Sequence, residues 1–218
     1  MLTIAEVLTP EDVARVRDRL AGVEFADERR TAGGAARKVK ANAQASGEAV
    51  PALARFVRQA LERSAPFQLY ARPARWSPLL FSRYRPGDAY GAHVDEPFMA
   101  ADGGGRLRSD LSFTLFLSEP ETYEGGALIV DGLDGEREVR LPAGALVLYP
   151  TGALHRVAPV TAGERLACVG WIQSLVAAAD QREILFDLAR VRAGAPTGEG
   201  QLLLDKSIGA LLRLWAAP

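Results

Sequence analysis

Histidine and cysteine are scarce in this chain: of 218 residues only His93 and His155 are histidine, and Cys168 is the single cysteine. One cysteine excludes an internal disulfide, so the fold rests on its core, and a reducing, cytoplasmic setting is expected. Long apolar runs are missing as well. Nothing approaches the roughly 20 residues of a membrane span, and Met1-Leu2-Thr3-Ile4-Ala5-Glu6 lacks the basic and apolar regions of a secretory signal, so no membrane association is expected. Neither sign of charge dominates: 26 Lys and Arg against 27 Asp and Glu leave a net charge of −1, and without a basic field no nucleic-acid partner is expected. The arginines between Arg72 and Arg85 are divided by Pro73 and Pro78 and flanked by Pro66 and Pro86, and read as solvated strand ends. There is no internal repeat, low-complexity tract or clear linker. With 48% hydrophobic and 24% charged residues, the chain suits one well-buried domain with additions.

The two histidines stand in informative places. His93-Val94-Asp95 puts an imidazole and a carboxylate two residues apart, and His155 follows 62 positions later in Gly152-Ala153-Leu154-His155. In extended backbone, positions i and i+2 share a face, so His93 and Asp95 can reach one cation, with a third ligand supplied by a neighbouring strand. Two histidines and one carboxylate are the ligand set of the facial triad that holds non-haem Fe(II) and leaves coordination positions open.

Around this set the sequence runs Arg83-Tyr84-Arg85-Pro86-Gly87 before the HxD, then Asp110-Leu111-Ser112-Phe113-Thr114-Leu115-Phe116-Leu117-Ser118 and Tyr123-Glu124-Gly125-Gly126-Ala127-Leu128. Leu141-Pro142-Ala143-Gly144, Leu148-Tyr149-Pro150, His155-Arg156-Val157 and Arg165 follow. This order resembles the 2-oxoglutarate-dependent Fe(II) dioxygenases, and within them the bacterial PKHD-type hydroxylases, relatives of prolyl 4-hydroxylase. The resemblance covers roughly residues 1 to 218, including a Lys-x-Asn-x-Gln strand at Lys40, Asn42 and Gln44. It implies Fe(II), 2-oxoglutarate and dioxygen as reactants, with succinate and CO2 released as a substrate C–H is hydroxylated, and it admits L-ascorbate (vitamin C) as a reductant. His93, Asp95 and His155 would be the metal ligands and catalytic centre.

Periodicity supplies the frame. Thr9 and Pro10 open a helix with Val13, Val16 and Leu20 on one stripe, ending after Gly22. Residues 26 to 36 read as a loop, and Arg37 to Gln44 as an edge strand presenting Lys40, Asn42 and Gln44 on one face. A second helix opens at Ser46 to Pro51 and carries Leu53, Phe56, Val57, Ala60 and Leu61. From 76 to 174 short strands alternate with Gly, Pro and acidic turns, and Leu111, Phe113, Leu115 and Leu117 alternate with Ser112, Thr114 and Phe116. Gly125 and Gly126 read as a turn requirement, and 96 to 110 as a mobile lid. Asp180 is expected to cap a helix with Ile184, Leu185, Leu188 and Val191, and Ser207 a last helix with Ile208, Leu211, Leu212 and Trp215, after a glycine-rich loop. The expected architecture is mainly β with flanking α-helices, a distorted double-stranded β-helix (jelly roll). It divides into N-terminal helices and edge strand packed on the core (1–75), the dioxygenase core (76–176) and a C-terminal helical extension (177–218).

On the strand 165 to 173, Arg165 shares a face with Ala167, Val169 and Trp171, while Leu166, Cys168 and Ile172 point the other way. An arginine in such company needs an anion or a route to water. The resemblance names that anion as the distal carboxylate of 2-oxoglutarate, with Tyr84, Thr114 and Leu128 lining the same pocket. Two rival readings are a non-redox jelly-roll metalloenzyme and a non-catalytic sensor of iron or 2-oxoglutarate; the arginine ten residues after His155 weighs against the first. The substrate, a small molecule or a peptide, depends on loops such as 26 to 36 and 96 to 110. The last helix carries an apolar stripe that either docks on its own sheet or pairs across a two-fold axis, and the resemblance favours a homodimer.

Overall fold

Residues 1–27 and 39–217 are described in the computed structural model. Alternation along the strand Leu111–Phe116 sets its layers. Leu111, Phe113 and Leu115 enter one apolar cluster, whereas Phe116 joins a second cluster with Leu128, Val130, Val147, Tyr149 and Val157. The first cluster lies between the larger sheet and the N-terminal helices; the second fills the space between two sheets.

The larger, eight-stranded sheet runs in the order Leu2–Ile4, Leu146–Pro150, Leu111–Phe116, Arg165–Ser174, Leu80–Tyr84, Ala43–Ser46 and Glu24–Asp27, with Pro73–Trp76 paired to the end of Arg165–Ser174. The five-stranded sheet runs Gly135–Val139, Leu128–Gly132, His155–Val157, Ala89–His93 and Lys40–Ala41. Two antiparallel sheets face to face, with helices outside the larger one, form a double-stranded β-helix. Sheet burial on both faces explains why Leu111–Phe116 is buried throughout although two of the three residues on one face, Ser112 and Thr114, are hydroxylic.

The first two helices form where their stripes predict. Thr9 Oγ1 accepts the Asp12 backbone N–H at 3.2 Å, Pro10 occupies the first turn of Pro10–Ala21, and Val13, Val16 and Leu20 are buried. Helix Val50–Arg63 buries Leu53, Val57, Ala60 and Leu61. Each Val or Leu so buried contributes roughly 1.5–3 kcal/mol relative to exposure.

Several local expectations are corrected. Arg37 to Gln44 is not one edge strand: its described part divides into Lys40–Ala41 in the smaller sheet and Ala43–Ser46 in the larger one, with the chain changing sheets at Asn42. The outer strand there is Glu24–Asp27, which takes in the first residues read as a loop at 26 to 36; residues 28–36 lie outside the described residues. A short helix, Ala65–Ala71, was unforeseen; Pro66 fits its first turn and Arg72 ends it in the left-handed region at φ 42°. Helix Ala179–Gly194 starts after Ala178 with no side-chain cap, so Asp180 lies inside its first turn rather than before it. Leu185 is buried there but Ile184 and Val191 are exposed, because Arg182 takes the inward position and donates to the Val176 and Ala177 carbonyls. The last helix is Glu199–Trp215, so Ser207 is mid-helix and the preceding loop is short. Finally, 96 to 110 contains a fastened hairpin, Phe98–Ala100 paired with Arg106–Arg108, tied to the body by Arg75 donating to the Gly104 and Arg106 carbonyls and by Arg58 pairing with Asp102.

Gly125 and Gly126 have φ of +70° and +63°. A Cβ on Gly125 would lie 2.0 Å from the Pro159 carbonyl oxygen, and one on Gly126 3.1 Å from Arg165 Cδ. Gly125→Ala is therefore expected to lower stability by about 1–3 kcal/mol or more, from strain at positive φ and the backbone clash. Urea denaturation checks this; an unchanged midpoint would contradict it.

Candidate active site

The strands Ala89–His93 and His155–Val157 pair so that His93 and His155 are direct cross-strand partners. Their rings come within 4.3 Å, centroid to centroid. Each ring is fixed the same way, with Nδ1 on the backbone carbonyl two residues earlier: Gly91 O at 2.8 Å and Ala153 O at 3.0 Å. A carbonyl only accepts, so Nδ1 carries a proton on both rings, and in the neutral imidazole the Nε2 lone pair is then the one left free for a metal. Asp95 completes the group. Its Oδ1 is 3.6 Å from His93 Nε2 and its Oδ2 is 3.6 Å from His155 Nε2, too long for hydrogen bonds.

One ligand atom from each of the three residues lies within 4.8 Å of the other two. His93 Nε2 is buried without a hydrogen-bond partner among the described residues. A buried orphan nitrogen beside a second aimed nitrogen and a carboxylate is unfavourable unless a cation satisfies all three, and the mixed N/O set suits Fe(II) with positions to spare. Tyr90 stacks on His93 with centroids 3.6 Å apart and planes 17° apart, and Tyr149 meets His155 edge-on at 5.1 Å.

Burial opposes ionisation of Asp95, yet the groups facing it, His93 and His155 together with the donors Trp171 and Ser112, hold its carboxyl below the usual carboxylate range. Burial depresses the His155 imidazole, and attraction to Asp95 only partly offsets it. Both groups are thereby kept in the forms that ligate a metal near neutral pH.

The three residues open into a chamber of about 70 Å³ whose wall also includes Arg165, Tyr84, Thr114 and Leu128. Arg165 is 2% exposed and its guanidinium lies over the rings of Tyr84 and Phe116 at 5.0 and 5.4 Å. It has no carboxylate partner among the described residues, and its Nε lacks any hydrogen bond. Tyr84 is its cross-strand neighbour. All seven residues singled out in the sequence thus border one chamber.

Tyr149 was missed. Buried beside Asp95, its phenol is pushed well above its ordinary range by desolvation, with the Thr114 hydroxyl pulling the other way, and remains an O–H group. A tyrosine in an otherwise aliphatic strand needs a partner for its hydroxyl, which was the available signal. Cys168 is buried on the opposite face and burial pushes its thiol far up, so it is a core residue.

A PKHD-type hydroxylase of Maricaulis maris is 48% identical to this chain over 221 aligned positions, covering 99% of each protein. This chain belongs to the PKHD-type hydroxylases. Another member, from a Picosynechococcus species, is 47% identical over 98% of each chain, and residues 79–173 match the 2OG-Fe(II) oxygenase superfamily. Among solved structures, a Pseudomonas putida prolyl-4-hydroxylase is 26% identical with a TM-score of 0.50, covering 79% of this chain and 91% of that one. A prolyl hydroxylase from Trichoplax adhaerens, solved with a hypoxia inducible factor peptide fragment, shares the fold at 15% identity and a TM-score of 0.59, covering 84% and 86%. This PKHD-type hydroxylase is therefore an Fe(II)- and 2-oxoglutarate-dependent dioxygenase, which sets aside the non-redox metalloenzyme and the non-catalytic sensor.

The depressed His155 makes an acid-sensitive fold. Above the ordinary imidazole pKa of about 6.5 the group is neutral folded or unfolded and has no effect. As pH falls below that value the unfolded chain takes up a proton the folded chain resists, so stability falls until the folded pKa is reached. Denaturation of metal-free protein should show a steeper loss between neutral pH and mild acid for wild type than for His155→Gln. Parallel pH profiles would contradict this.

Proposed function

We propose that His93, Asp95 and His155 hold Fe(II), and that Arg165 binds the distal carboxylate of 2-oxoglutarate at the other end of the chamber. The single observation that carries the reading is the buried guanidinium of Arg165, without a carboxylate partner among the described residues, in the same chamber as the three ligands. Burying an uncompensated charge costs several kcal/mol, and a planar fork suits a carboxylate through two charge-assisted hydrogen bonds. Tyr84 and the Thr114–Tyr149 pair supply hydroxyls beside it, and Leu128 closes the apolar wall.

Fe(II) with dioxygen and 2-oxoglutarate supplies the oxidising chemistry: the cosubstrate leaves as succinate and CO2, and a substrate C–H becomes C–OH. The chain's part is to hold neutral imidazoles and an ionised carboxylate in place, orient the cosubstrate along the axis from Arg165 to the ligands, and keep water out with Tyr90, Tyr149 and Leu128. Substrate would approach through an outer groove of about 430 Å³ over Asp95, bordered by Lys40, Gln44, Val94, Phe98 and Trp171. Its mixture of apolar surface and a few polar groups suits a small molecule or a peptide. L-ascorbate would serve as reductant. The unit 76–176 would carry the chemistry, flanked by 1–75 and 177–218, in the cytoplasm, where a lone buried cysteine raises no redox conflict.

Arg165→Ala should weaken 2-oxoglutarate binding about ten- to more than a hundredfold while leaving metal binding nearly intact, since hydrogen bonds to charged groups are worth roughly 1.5–3 kcal/mol. Arg165→Lys should restore only part, because an ammonium cannot reproduce the fork. Isothermal titration of metal-loaded protein under anaerobic conditions reads both, and unchanged 2-oxoglutarate affinity in the two variants would reject the assignment.

The protein is also proposed to be a homodimer through its C-terminal helices. Helix Glu199–Trp215 has no buried residue, and Ile208, Leu211, Leu212 and Trp215 are only half-buried. Ile184, Val191, Leu202, Leu203 and Leu214 stand exposed on it and on its neighbour Ala179–Gly194. A second copy would cover this surface. Sedimentation equilibrium at tens of micromolar should give a dimer, and removal of residues 201–218 a monomer; a monomeric full-length protein would refute the dimer.

A further inference from the structure

Two donors from the larger sheet converge on one oxygen of Asp95. Trp171 Nε1–H and Ser112 Oγ–H each donate to Oδ2 at 2.8 Å. The convergence is built into the sheet, since Ser112 and Trp171 are direct cross-strand partners and project from the same face. Ser112 has a single proton, already given to the carboxylate, so its 3.1 Å contact with Thr151 Oγ1 makes Thr151 the donor to Ser112. Ser112 and Thr151 are each 2% exposed, so neither bond competes with bulk water.

Asp95 needs this support because it lies beyond the end of strand Ala89–His93, in a stretch with no ladder pairing of its own. A carboxylate oxygen offers two in-plane lone pairs, enough to accept from both donors on Oδ2. Oδ1 receives no hydrogen bond of this kind among the described residues. The two oxygens, equivalent in an isolated carboxylate, are thus made unequal by the opposite sheet.

We propose that Trp171 and Ser112 are positioning residues that fix Asp95 as a one-oxygen metal ligand presenting Oδ1, leaving the remaining coordination positions to cosubstrate and dioxygen. The inference rests on the ligand assignment given under the proposed function. Trp171 has a second exposure: its side chain also borders the outer groove. One side chain therefore joins the carboxylate ligand to the wall against which substrate lies, and the indole N–H bond sets the ligand while the ring shapes the groove.

Co(II) is the probe, because its visible bands report coordination number as well as affinity. Trp171→Phe keeps an aromatic ring at the groove and removes the N–H together with the five-membered part of the indole; Ser112→Ala removes the second donor without that change of ring, and Ser112→Thr keeps a hydroxyl. Loss of partners that orient a metal ligand typically costs 10–100-fold in affinity. Trp171→Phe and Ser112→Ala should each weaken Co(II) binding within that range and shift the bands toward the weaker absorption of a higher coordination number, as the freed Oδ2 joins the metal. Ser112→Thr should recover the wild-type spectrum. Circular dichroism of the metal-free variants separates this from misfolding, and if Trp171→Phe does not fold, the Ser112 pair alone decides. Wild-type Co(II) affinity and spectrum in folded Trp171→Phe and Ser112→Ala would overturn the proposal. Failure of wild-type protein to bind Co(II) at all would instead overturn the ligand assignment on which it rests.

Discussion

The site depends on one register. His93 and His155 face each other only because Ala89–His93 and His155–Val157 pair with these residues opposite. A slip by one residue would turn one imidazole out of the sandwich, since side chains alternate between sheet faces. The pairing also leaves each Nδ1 over its own chain's carbonyl, so the same geometry that places the rings selects their tautomers. Asp95 then needs no ladder of its own, because the larger sheet holds it through Trp171 and Ser112.

The second constraint is electrostatic. Interior charges persist only where something compensates them. At one end of the chamber a carboxylate stands with two imidazoles; at the other a guanidinium lies over aromatic rings. The first end is short of positive charge and the second of negative charge, and the proposed function assigns a divalent cation to the one and a dicarboxylate to the other. The reactants of the PKHD-type hydroxylases are these two together with dioxygen, and the double-stranded β-helix keeps the two ends apart on facing sheets.

Much of this was legible in the sequence because it follows from period-two alternation and residue chemistry. HxD, the lone second histidine, the mixed face of Leu111–Phe116 and the side of Arg165 on its strand all required only that strands be strands. Gly125 and Gly126 were readable because little else adopts positive φ beside a close backbone. What escaped depended on contacts distant in sequence. Nothing local shows that the chain changes sheets at Asn42, that Trp171 donates to Asp95, or that Tyr149 meets Thr114. The caps of the last two helices were misplaced because Asp180 and Ser207 are good caps by type, while the actual boundaries, at Ala178 and Gly198, have no side-chain cap to announce them. Arg182 defeated the simple apolar stripe by burying its guanidinium on backbone carbonyls.

The central claim is that three named side chains and one arginine create a single Fe(II) and 2-oxoglutarate site. Anaerobic addition of Fe(II) and then 2-oxoglutarate tests it most directly through the visible charge-transfer band of a metal-chelated 2-oxo acid. Wild-type protein should develop the band at one equivalent of each, His155→Ala should not, and both should keep the same far-ultraviolet circular dichroism. A full-strength band from folded His155→Ala would contradict the account.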